Sequence, residues 1–227
     1  PDGPEGQPGP WQYSWSFSGG ERDLILEQFY NYWNLEIPYP EENWSWDKYR
    51  YPIPQSINNL INLNYFNCQS SSTGGPFPNM EGMISLKYLN FNYNNLEGTQ
   101  LPQHLFSLPQ IQDIRLSGCQ LHGEILSENI PNFAPNLLVL MLESNKLTGD
   151  IPEEIENFTN LTALVLDRNR LGCSIGHQSY NQPCIEACDG TNGCSGELPP
   201  SIGNMTNLNM LDLEWNHFRG HIPESLS

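Results

Sequence analysis

One frame recurs along most of this chain and limits what it can fold into. In the segment Leu208, Leu211, Leu213, Asn216, Phe218, Gly220, Ile222, Pro223, apolar residues, an amide, a glycine and a proline fall at fixed offsets. The same offsets carry Leu161, Leu164, Leu166, Asn169 and Leu171, and before them Leu137, Leu140, Leu142, Asn145, Leu147, Gly149, Ile151 and Pro152. Further upstream they carry Ile111, Ile114, Leu116, Cys119, Leu121, Gly123 and Ile125, then Leu86, Leu89, Phe91, Asn94, Leu96 and Gly98. A degenerate first copy reads Leu63, Phe66, Cys68, Ser71, Thr73, Gly75, Phe77 and Pro78. The residues at the Asn position are 71, 94, 119, 145, 169 and 216, giving steps of 23, 25, 26, 24 and 47. The long step holds an insertion at 172–194, and removing its 23 residues restores a step of 24. A unit this short cannot bury its own apolar side, so the copies must stack around one shared core.

Each copy predicts a short strand in which the two leucines of the LxL pair point inward and their neighbours point out. The Asn at the following turn is suited to satisfy backbone groups that a bending chain would leave unpaired inside. Glycine frees the backbone, and Ile-Pro starts an extended stretch on the outer side. This pattern resembles the leucine-rich repeat family, in the LxxLxLxxNxLxGxIP variant of plant extracellular proteins, and the resemblance covers about residues 57–227. It implies an α/β solenoid, a superhelix with short parallel concave strands and irregular or 3-10 outer segments. Residues 21–56 resemble the N-terminal cap of that family. Leu26, Phe29 and Tyr30 fall at helical spacing in an ERD-led segment, and Trp33, Trp44 and Trp46 follow. The family's cap disulfide is absent, since no Cys precedes Cys68. Residues 1–20 read as a Pro/Gly-rich lead, with Gly3, Gly6 and Gly9 at a collagen-like triplet spacing.

Charge and cysteines narrow the functional classes. The chain has 26 Asp+Glu against 9 Lys+Arg, a net charge of −17, which opposes binding to nucleic acid or to anionic lipid. The longest aliphatic run, Leu137 to Leu142, is far short of the roughly 20 residues of a membrane-spanning helix, so no membrane insertion is expected in this segment. Four acceptor sequons, at Asn43, Asn157, Asn160 and Asn204, and six Cys together favour an oxidising, extracellular or cell-surface location with N-linked glycans. Asn157 and Asn204 occupy the same position in successive copies, which predicts a glycan-covered strip on the outer side with Asn160 beside it. Cys173, Cys184, Cys188 and Cys194 lack the CxxC knuckle of a zinc site and read as disulfides with three possible pairings. Pairing Cys173 with Cys194 across the neck of the insertion, leaving Cys184 with Cys188, suits the frame best. Cys68 and Cys119 lie two copies apart, too far to bridge, and are expected to be buried thiols.

Strand stacking sorts the outward positions into columns. One reads Tyr65, Tyr88, Asp113, Val139, Ala163, Met210, and the next Asn67, Asn90, Arg115, Met141, Val165, Asp212. A third reads Gln69, Asn92, Ser117, Glu143, Asp167, Glu214, and a fourth Ser70, Tyr93, Gly118, Ser144, Arg168, Trp215. Tyr65, Tyr88, Tyr93, Arg115, Met141, Glu143, Val165, Asp167, Met210, Asp212, Glu214 and Trp215 therefore form the candidate binding face, suited to a protein partner. Glu143, Asp167 and Glu214 repel one another unless a base intervenes, with Arg168 and Arg115 within reach, or a Ca²⁺ ion sits between them. The five His share no metal-ligand spacing, and no nucleotide-binding loop, nucleophile elbow or HExxH is present, so neither enzyme activity nor a cofactor is expected.

The expected function is a non-enzymatic extracellular interaction module, a glycosylated building block of a cell-surface, wall or filament assembly. Its partners would be a protein or further copies of itself, with contacts at 1–20 and at 205–227, where the last repeat carries no cap. The alternative is the ligand-binding ectodomain of a leucine-rich repeat receptor-like protein, or a secreted protein of the polygalacturonase-inhibitor kind.

Overall fold

The computed structural model describes residues 52–71, 73–96, 98–125, 134–173 and 195–226. The lead, most of the expected cap, Asn43, Cys184, Cys188 and Cys194 lie outside the described residues. Each repeat contributes one three-residue strand: β1 Tyr65–Asn67, β2 Tyr88–Asn90, β3 Asp113–Arg115, β5 Val139–Met141, β7 Ala163–Val165 and β8 Met210–Asp212. They form one parallel sheet in the order β1-β2-β3-β5-β7-β8. The register is the one the frame predicts. Tyr65 pairs with Tyr88, Tyr88 with Asp113, Asp113 with Val139, Val139 with Ala163 and Ala163 with Met210.

The central residue of each strand points inward. Phe66, Leu89, Ile114, Leu140 and Leu164 are fully buried, as are Cys68, Phe91, Leu116, Leu142 and Leu166 two positions on. On the outer side the chain turns through 3-10 segments at Gln55–Asn59, Gln103–Ser107, Glu153–Asn157, Pro200–Asn204 and Glu224–Leu226. A proline precedes all five, Pro223 the last; before the first four (Pro54, Pro102, Pro152, Pro199) its ring holds φ between −75° and −65°. Those four each bury the branched or aliphatic residue of the repeat, Ile57, Leu105, Ile155 or Ile202. Strand side and outer side thus meet in one apolar core running from Ile53 to Met205. Among the described residues the outer segments are 3-10 rather than α, so the helical part of the α/β expectation rests on the cap alone.

The frame did not predict a second, smaller sheet. Strands β4 His122–Gly123 and β6 Lys146–Leu147 pair in parallel, and single bridges join Gly74 to Asn95 and Gln100 to His122. They occupy the x-Leu-x-Gly stretch after the Asn turn, where successive repeats also run side by side.

The amide ladder explains the Asn position. Asn145 Oδ1 accepts from the backbone N–H of Cys119 and Leu121, both at 3.0 Å, while Nδ2 donates to the carbonyls of Leu116 and Leu142 at 2.8 and 2.9 Å. Asn94 does the same for Ser71, Thr73, Cys68 and Phe91. Asn169 and Asn216 repeat the pattern. Where Cys119 replaces the amide, its thiol donates to the Phe91 carbonyl at 3.1 Å. Cys68 and Cys119 are buried free thiols, as expected.

The frame also closes across the insertion. On one side the Cys173 carbonyl accepts from Gly149 N–H at 2.8 Å. On the other, the N–H groups of Ser195 and Gly196 donate to the Asp150 carboxylate at 2.6 and 2.8 Å. Both ends of the insertion therefore converge on two consecutive residues. Gly172 lies at this neck in close approach to the next repeat: its φ is +83°, and a Cβ there would sit 2.6 Å from the His217 carbonyl oxygen.

Candidate functional site

The concave sheet presents side chains in columns one strand spacing apart, and its two halves differ in chemistry. Over β1 to β3 the side chains bond mainly to one another. Tyr65 and Tyr88 stack with ring centroids 4.4 Å apart and planes 4° from parallel. The Arg115 guanidinium lies 5.5 Å from the Tyr88 ring centroid and forks onto Asp113 with two contacts of 2.8 Å. Asn90 Nδ2 donates to the Tyr88 hydroxyl at 3.3 Å and to Gln69 Oε1 at 3.0 Å. Burial pushes the Tyr88 phenol up, while the hydrogen bond to Asp113 holds the Arg115 guanidinium more firmly charged. The result is a preorganised aromatic and amide platform, with Tyr93 exposed at its rim.

Over β5 to β8 the surface is apolar and acidic. Met141 is half-buried and Met210 exposed. Val165 and Asp167, expected on the open face, are buried at 6% and 5% exposure. The Asp167 carboxyl is pushed up by burial, then by Asp212 and Glu143, against the opposing pull of Arg168. Arg168 supplies the expected base, with Nη1 at 2.6 Å from Asp167 Oδ2. Arg115 does not: it is committed to Asp113. Glu214 and Trp215 are exposed, and Asp212 and Glu143 half-buried. Among the described residues no three His, Cys, Asp or Glu side chains, Glu143, Asp167 and Glu214 included, are grouped closely enough to hold a metal ion.

A feature the sequence reading missed is the backbone of the fourth column. Ser70, Tyr93, Ser144, Arg168 and Trp215 all adopt φ between 52° and 58°, with Gly118 at 63°. Gly118 was the visible hint, since glycine is the residue this conformation favours. Of the sequons, Asn157 and Asn204 are exposed and end equivalent 3-10 segments. Asn204 Nδ2 donates to Glu156 at 2.6 Å, and Asn160 Nδ2 to the Pro135 carbonyl at 2.7 Å. No helix among the described residues is long and apolar enough to cross a membrane.

The chain matches the Leucine Rich Repeat family model at residues 85–108, 136–158 and 207–227. It is 32% identical over 128 residues to receptor-like protein 15 of Arabidopsis thaliana, which is 56% of this chain and 13% of that protein. It is also 32% identical over 113 residues to Cuscuta receptor 1 of Solanum lycopersicum, 48% of this chain and 10% of that one. The chain thus spans only a small part of the relatives it matches. Among solved structures it resembles the Arabidopsis receptor kinase HAESA, in complex with the peptide hormone IDA and the co-receptor SERK1. The TM-score is 0.62 at 28% identity, over 77% of this chain and 25% of that one. A leucine-rich repeat protein of Leptospira interrogans matches with a TM-score of 0.55 at 28% identity, over 74% of this chain and 35% of that one. Repeat frame, sheet register, amide ladder and these relatives agree that the chain is built of plant-type leucine-rich repeats.

Proposed function

We propose that this chain is part of a non-enzymatic extracellular recognition module that takes an extended peptide or protein segment on its concave sheet. The observation that carries this reading is the in-register sheet, which sets a preorganised Tyr65–Tyr88–Arg115 platform beside an acidic half lined by Met210, Asp212 and Glu214. Such a face favours a segment with an apolar or aromatic end and a basic end. Relatives that are receptor-like proteins, and a structural neighbour solved with a peptide hormone, support the ectodomain reading ahead of a wall or filament building block. N-linked glycans on the exposed Asn157 and Asn204 would cover the outer side and leave the sheet free.

The test is selection from a random displayed peptide library against the full chain, secreted from a eukaryotic cell. Enriched peptides should be basic and should lose at least tenfold in affinity on a Glu143→Gln, Asp212→Asn, Glu214→Gln triple variant. They should lose a comparable amount on Tyr88→Ala. Peptides that bind both variants as tightly as the parent would overturn the reading.

A further inference from the structure

The positive-φ column along the rim of the concave sheet changes size abruptly. It reads Ser70, Tyr93, Gly118, Ser144, Arg168, Trp215, so two small residues stand between the Tyr93 ring and the Arg168 side chain. The Tyr93 ring lies against Gly118: a Cβ at that glycine would come within 2.8 Å of its Cδ1. The ring is thus seated on the backbone of the next repeat, while Tyr93 stays 59% exposed. Three strand spacings separate Tyr93 from Arg168, so the notch over Gly118 and Ser144 is about 14 Å across from column to column.

Immediately beside the floor of this notch are two polar groups with no hydrogen-bond partner. Ser117, one residue before Gly118, is fully buried, and its Oγ is unpartnered. Glu143, one residue before Ser144, has its Oε2 buried and equally unpartnered. The two lie on adjacent repeats held in register, since the Gly118 N–H donates to the Glu143 carbonyl at 2.9 Å. Neither arginine of the sheet answers Glu143: Arg168 is committed to Asp167 and Arg115 to Asp113. The Glu143 charge is felt on both sides. Burial is the main cause that pushes the Cys119 thiol up to about 12 and the Asp167 carboxyl above its ordinary value, and Glu143 adds to both. Buried polar groups left unmet cost the fold stability that a ligand's donors can restore.

We infer that this notch anchors an arginine side chain of the bound segment, its guanidinium over the Tyr93 ring and its N–H groups donating to Glu143 Oε2 and Ser117 Oγ. The inference rests on the concave-face reading above and locates the basic end of that ligand. Three features select a guanidinium. The unmet groups are a carboxylate and a hydroxyl oxygen beside two further acids, Asp167 and Asp212, which calls for a cation. A planar fork of five N–H donors serves acceptors on two repeats at once, whereas an ammonium acts as a point charge. Its flat face also stacks on an aromatic ring, and Tyr93 is the ring that walls the notch. Glu143 as a whole is only half-buried, so rotation of its side chain brings Oε2 to the ligand without moving the sheet.

Nuclear magnetic resonance of the full chain with isotope-labelled tyrosine, titrated with N-acetyl-argininamide, tests this. The expected result is a saturable shift of the Tyr93 ring signals, assigned by their loss in Tyr93→Leu. N-acetyl-citrullinamide, which keeps the shape and loses the charge, should bind about tenfold more weakly, and N-acetyl-lysinamide about threefold more weakly. Glu143→Gln should weaken argininamide about fivefold and Ser117→Ala about twofold, while Glu154→Gln on the outer side leaves it unchanged. Circular dichroism confirms that each variant folds. Tyr93 signals that do not move, equal responses to citrullinamide or lysinamide, or a response that Glu143→Gln leaves intact would each overturn the inference. The two readings fail separately. Library peptides that bind while Tyr93 stays silent to argininamide overturn the arginine anchor alone. A saturable argininamide response supports the anchor even where the library returns no peptide, which overturns the extended-segment reading alone.

Discussion

Asn94, Asn145, Asn169 and Asn216 each use one side chain to satisfy backbone groups of two repeats, and that sets the cost of losing one. Asn145→Ala would leave the buried N–H groups of Cys119 and Leu121 without their acceptor. The expected loss is about 2–5 kcal/mol in denaturant unfolding. Asn136→Ala, which removes one exposed hydrogen bond to the Pro109 carbonyl, should cost under about 1 kcal/mol. Equal costs would show that the inner ladder carries no special weight. His104 makes stability depend on pH. Its Nε2 accepts from the buried Met80 N–H at 3.2 Å, and burial holds its pKa below the usual 6.5, only partly offset by Glu81. A base whose folded pKa is lowered favours the neutral form. Its contribution is therefore complete above about pH 6.5 and lost as pH falls below that value. Thermal melts of His104→Gln should show a flatter dependence below pH 6.5 than the parent, and an unchanged slope would contradict the assignment.

Elements in this fold are short, and what makes them legible is repetition. Every strand of the concave sheet sits where the LxL pair placed it, because two inward apolar residues and a fixed period leave one register open. The 3-10 segments were visible only as Ile-Pro followed by polar residues, and the second sheet was not visible at all. Its residues, such as His122 and Lys146, carry no alternation, and their pairing follows from stacking imposed elsewhere. The buried state of Val165 and Asp167 was hidden for a similar reason: column position gives direction, whereas exposure depends on the size of neighbours in adjacent repeats. The insertion offers a direct check on the frame. Since both of its ends converge on Gly149 and Asp150, peptide mapping should recover Cys173 linked to Cys194. Replacing 174–194 with a short Gly-Ser link should preserve cooperative unfolding of the remaining repeats. Recovery of Cys173 with Cys184 or Cys188 would contradict the pairing, and collapse of the shortened chain would contradict the closed frame.

Across the whole molecule, periodicity defines a scaffold and leaves chemistry to the positions between the leucines. The repeat type and the sheet could be read from those leucines, whereas the partner cannot, because outward residues answer to a ligand that no internal pattern encodes. Arg115 shows the limit. Its column placed it near the acidic ladder, yet it forks onto Asp113, its own neighbour two residues away, and stacks on Tyr88. The central claim is that recognition lies on the concave columns of a continuous six-repeat sheet. Amide hydrogen exchange of the full chain, free and bound to a peptide taken from the library selection, tests it most directly. The account predicts new protection confined to the strand and rim segments 65–70, 88–93, 113–118, 139–144, 163–168 and 210–215. Protection confined to the outer 3-10 segments or to the lateral edge at 61–64 and 84–87, with the strand segments unchanged, would contradict it.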